Sequence, residues 1–121
     1  MPTEPDTLTL SEAVRRAAEV VDPNGSNDGV ADLVARFEDE DEPITAVANI
    51  DELMAEALHR IDVDAEDRDP ALTMATAIVT YLAFRRTAVK EPDERLLQLA
   101  ADAEFDGHPP PAVADFLAGL A

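Results

Sequence analysis

Apolar residues recur along this chain at helical rather than strand spacing. Leu10, Val14, Ala17, Ala18 and Val21 fall three or four positions apart, which gathers them on one face of a helix. Thr9 and Glu12 just ahead of them have the spacing of a capping box. Residues 1–8 read as a flexible lead-in and residues 9–121 as a single helical domain. The first helix must stop near Asp22, because the run Asp22-Pro-Asn-Gly-Ser-Asn-Asp-Gly29 combines a proline with an Asn-Gly turn signal.

Asp28 is the expected cap of a second helix with Val30, Leu33, Val34 and Phe37 on its inner face. That helix runs into five consecutive acids, Glu38 to Glu42. Unpaired anions there oppose the helix dipole and predict fraying. Pro43 has the chemistry of a first-turn residue, which predicts a third helix over 43–61. Its Val47, Ile50, Met54, Ala57, Leu58 and Ile61 lie within an arc of about 100°.

Residues 62–69 form an acidic connector that ends in Asp69-Pro70, a cap followed by a helix-opening proline. The segment it opens, about 71–88, is the most apolar in the chain. Leu72, Met74, Ile78, Val79, Tyr81, Leu82 and Phe84 cover most of its circumference, and Thr73, Thr76, Thr80 and Ala83 form a small-residue strip on much of what remains. A helix apolar nearly all round belongs at the centre of a bundle or in an oligomer interface. Glu91-Pro92-Asp93 begins a fifth helix carrying Leu96, Leu97, Leu99, Ala100 and Ala103. After the stiff turn at Pro109–Pro111, a last helix carries Val113, Phe116, Leu117 and Leu120. No segment alternates with period two. The expected fold is all-α, a compact bundle of five to six helices around the 71–88 helix.

Composition adds constraints to this picture. A chain of 121 residues makes one domain, large enough to remove roughly two-thirds of its unfolded surface from water. With aromatics at 4% and no tryptophan, the core must be aliphatic. There are 27 acidic against 9 basic side chains, a formal charge of −18. Such a surplus repels nucleic acid phosphates and anionic membranes, so neither direct nucleic acid binding nor membrane association is expected. Acidity alone is most simply a solvated surface, and free use of Asp, Glu, Ala and Arg with a single lysine fits a salt-adapted or high-GC origin. The absence of cysteine excludes disulfides and thiol chemistry. A polar, acidic start and no apolar run of ~20 residues make the cytoplasm the expected location.

Candidate chemistry is sparse. Glu56 and His59 form a Glu-x-x-His step, the spacing with which di-iron bundles place two ligand types on one metal, and Glu52 lies one turn earlier. All three fall on the polar face, with His59 about 180° from Ile50, and a di-metal site would need a second such step from a dimer partner. The alternating Asp22, Asn24, Ser26 and Asp28 imitate a calcium loop but put Leu33 where a bidentate Glu is required. Two separated histidines, two serines and no phosphate-binding or nucleophile motif argue against an enzyme, and no cofactor is implied. Arg85, beside the apolar stripe, reads as a dipole partner for its helix end or an anion-binding corner.

The leading expectation is an acidic cytoplasmic helical protein that acts by protein–protein interaction, including as a homodimer. Thr73, Thr76, Thr80, Phe84 and Arg85 of the apolar helix form the expected contact surface. The alternatives are a metal-binding bundle built on Glu52, Glu56 and His59 across a dimer, and an acidic mimic of nucleic acid that binds a basic partner.

Overall fold

The computed structural model describes residues 8–61, 69–85 and 91–120. These form six α-helices and a single 3-10 turn: α1 (Leu10–Val21), α2 (Asp28–Phe37), the turn Ile44–Ala46, α3 (Ile50–Ile61), α4 (Pro70–Phe84), α5 (Asp93–Phe105) and α6 (Pro111–Leu120). No strand occurs among the described residues, and no helix among them is long and apolar enough to cross a membrane. Of the expected lead-in, residues 1–7 lie outside the described residues, whereas Leu8 is half-buried against the core.

α1 begins as the capping box requires. Thr9 Oγ1 accepts the Glu12 N–H at 3.2 Å and Glu12 Oε1 accepts the Thr9 N–H at 2.9 Å. The two donors left between them, Leu10 and Ser11 N–H, reach the carbonyls of Glu42 and Glu40 at 2.8 and 3.0 Å. Every first-turn donor of α1 is thereby satisfied. The acidic run supplies this closure with its backbone while its side chains stay exposed.

This arrangement corrects the expected third helix. Pro43 does not open a helix; it pairs with Thr9 in an isolated antiparallel bridge, and Ile44 N–H donates to Leu8 O at 2.7 Å. The chain then makes the 3-10 turn and passes through Asn49 at φ 56° before α3 starts at Ile50. Pro43 suits both roles locally, and the demand of α1 for carbonyl partners decides between them. The second helix also differs. α2 ends at Phe37, ahead of the acidic run, and its cap is Asn27 rather than Asp28, with Asn27 Oδ1 accepting Val30 N–H at 3.1 Å. Asn27 is held for that task. Its N–H donates to Asp22 Oδ2 at 2.8 Å and its Nδ2 to Asp69 Oδ2 at 2.6 Å. Asp69 in turn caps α4 through Oδ1 to Ala71 N–H at 2.9 Å.

α4 is the central helix and touches all five other helices and the 3-10 turn. Leu72, Met74, Ala75, Ile78, Val79 and Leu82 are buried, and so is Thr76. The Thr76 hydroxyl donates to Thr73 O at 2.8 Å and that of Thr80 to Thr76 O at 3.1 Å. This back-bonding lets a hydroxyl enter an apolar core without an orphaned donor. The helix stops at Phe84 and not near residue 88: Arg85 leaves helical geometry at φ −131°, ψ 81°. Phe84, the last residue of the helix, is 68% exposed.

Truncating Ile78 to Ala at the centre of α4 is expected to cost about 2–5 kcal/mol, while Phe84→Ser on the same helix stays within about 0.5 kcal/mol of wild type. Urea denaturation measures both, and equal losses would contradict the central placement. In the same assay Thr9→Ala loses about 1 kcal/mol through the broken box.

Candidate functional site

The helices around α4 do not close completely. Between α1, α5 and α6 lies a groove of about 350 Å³. Val20, Leu97 and Leu117 form its floor, and Glu19 and Glu94 stand on its rim with Asp93 and Gln98. The floor positions follow from the apolar stripes of their helices. Leu97 is placed about 100° round from Leu96, so α5 presents one apolar row to α4 and a second toward the groove.

Arg16 holds one of the lining residues, Asp93, from outside the groove. Its Nη2 lies 3.0 Å from Asp93 Oδ1 and donates to the Glu91 carbonyl at 2.8 Å, and its Nε donates to Asp93 Oδ1 at 3.1 Å. The pair ties α1 to the start of α5. One turn further along each helix Val20 and Leu97 line the groove. Among the described residues no lysine, arginine or histidine lines the groove. Asp93 is paired with Arg16, and Glu19 and Glu94 are the other carboxylates among the described lining residues.

The residues singled out in the sequence lie elsewhere. Glu52, Glu56 and His59 are all exposed on α3. Glu56 is engaged with Arg60, Oε1 to Nη2 at 2.9 Å, on the wall of a smaller cavity of about 240 Å³ between α2 and α3. Among the described residues no three His, Asp or Glu side chains come together closely enough to hold a metal ion. Both oxygens of Asp22, the first residue of the calcium-like loop, accept backbone N–H groups from Ser26 and Asn27, so that loop is a helix connection. The five interaction candidates are divided by the fold. Thr76 is inside the core, Thr73 and Thr80 are half-buried, and only Phe84 and Arg85 are exposed. Most apolar side chains of α4 are buried, with Phe84 the exception.

In the sequence, Leu97 and Leu117 read only as members of apolar stripes, Val20 stands out in no way, and Glu19 and Glu94 merge into the general acidity. The one local sign was the breadth of the apolar arc on α5, where Leu96, Leu97 and Leu99 exceed what a single face needs. Comparison with known proteins adds no assignment: no family model, curated protein or solved structure matches this chain.

The two described ion pairs differ in setting. The Arg16 side chain is 22% exposed and holds two elements together, whereas Arg60 and Glu56 are 62% and 61% exposed on one helix. Arg16→Met is therefore expected to cost about 1–3 kcal/mol and to speed amide exchange in the first turn of α5, whereas Arg60→Met costs under about 0.5 kcal/mol. Urea denaturation and hydrogen exchange of the two variants check the contrast.

Proposed function

We propose that this chain is a cytoplasmic protein-interaction module that receives part of a partner protein in the groove between α1, α5 and α6. The observation that carries the reading is the combination of an apolar floor, Val20, Leu97 and Leu117, with a carboxylate rim. Apolar pockets with a few placed polar groups are the usual form of a binding site. At about 350 Å³ the space accepts one or two large side chains rather than an extended ligand.

A protein suits this site better than a nucleic acid, because a net charge of −18 repels phosphates. A second copy of the chain would bring the same charge to the same rim. Self-association would favour another surface, and Phe84 is the one large hydrophobic side chain exposed among the described residues.

Selection of short peptides from a library of unbiased composition, displayed against the immobilised protein, tests the reading. Gln98→Trp, an exposed change that places an indole at the groove opening, serves as the blocked control, with its fold checked by circular dichroism. Enriched peptides are expected to bind this variant at least about ten-fold more weakly, the loss of roughly one anchor contact. Failure to enrich any peptide, or binding indifferent to Gln98→Trp, would overturn the proposal.

A further inference from the structure

We infer that the occupant of the groove is a cationic amphipathic helix, whose apolar residues enter between α1 and α5 while its lysines or arginines meet Glu19 and Glu94. This rests on the interaction reading above and specifies the partner's chemistry.

Three observations define that chemistry. The first is charge. The rim carries Glu19 and Glu94, no basic side chain lines the groove among the described residues, and the molecule as a whole is strongly negative. An approaching segment gains by being basic, both in the encounter and at the rim. The second is shape. The walls are helices, α1 and α5 with Leu117 of α6, and a further helix seats its side-chain ridges in the furrow between such neighbours. An extended peptide would find no sheet edge to extend, since the described residues contain no strand. The third is capacity. A volume of about 350 Å³ holds an anchor pair such as two leucines at i and i+4, the way an amphipathic helix enters a groove. Arg16 supports the geometry by fixing the start of α5 to α1 and by neutralising Asp93, so the partner's cations are directed to the two glutamates.

A fluorescein-labelled peptide of leucine and lysine with leucines at i, i+3, i+4 and i+7 is the probe. A peptide of the same composition in scrambled order is the control for diffuse attraction to an acidic protein. Fluorescence anisotropy is read at low and at raised salt. The patterned peptide is expected to bind at least about ten-fold tighter than the scrambled one, and to weaken several-fold from about 50 to about 300 mM salt. Glu19→Lys with Glu94→Lys is expected to weaken it at least about ten-fold, whereas Asp32→Lys with Glu38→Lys, an equal change of charge at exposed positions on α2 and just after it, weakens it less than about three-fold. Equal binding of the two peptides, or equal effects of the two double variants, would overturn the inference. If library peptides sensitive to Gln98→Trp are enriched but the cationic helix does not bind, the inference fails and the interaction reading stands. If neither binds, both fail.

Discussion

The structure depends on covering α4. A fifteen-residue helix whose apolar side chains point in nearly every direction cannot rest on one neighbour. Each uncovered side would leave large side chains in water at roughly 25 cal/mol per Å². The other five helices are arranged as its jacket, and each needs only one apolar face because the far side meets solvent. This division explains how a chain with so great an acidic surplus folds compactly. The charges occupy the outer faces, the connections and the helix ends, where they remain hydrated and do not oppose the burial of Leu72, Met74, Ile78 and Val79.

The same arrangement gives the polar groups near the core a connected role. Asp22, Asn27 and Asp69 form one chain of hydrogen bonds that ends α1, caps α2 and caps α4. A single exposed cap contributes about 1 kcal/mol; linked in this way, each cap also holds the next in place. The acidic run after α2 closes the first turn of α1 through two backbone carbonyls. Much of the acidity is solvation, yet this stretch acts as structure through atoms that its side-chain composition does not describe.

The groove follows from incomplete coverage. α1 and α5 both pack on α4, but each also has an apolar position turned toward the other, Val20 and Leu97. Arg16 pins them together at the start of α5, and a turn further on the space between them is bounded by Leu117 of α6. Filling it from within would require larger side chains at positions whose rims carry Glu19 and Glu94. The result is an apolar opening with carboxylates at its edge, left where the packing of three helices on α4 falls short.

The sequence by itself determined the helical class, the capping box at Thr9, the Asp69-Pro70 start and the central place of the apolar helix. Each of these rests on spacing within a few residues, which local physics reads directly. Only the tertiary structure decided that Pro43 bridges to Thr9, that Asn27 caps α2, and that the threonine strip of α4 turns partly inward. In each case the deciding partner is distant in sequence: the carbonyls of Glu40 and Glu42 for α1, Asp69 for Asn27, the surrounding helices for Thr76. The candidate site was least legible of all. Val20, Leu97 and Leu117 look like any core residues in their own helices, and a groove exists only where three helices fall short of one another.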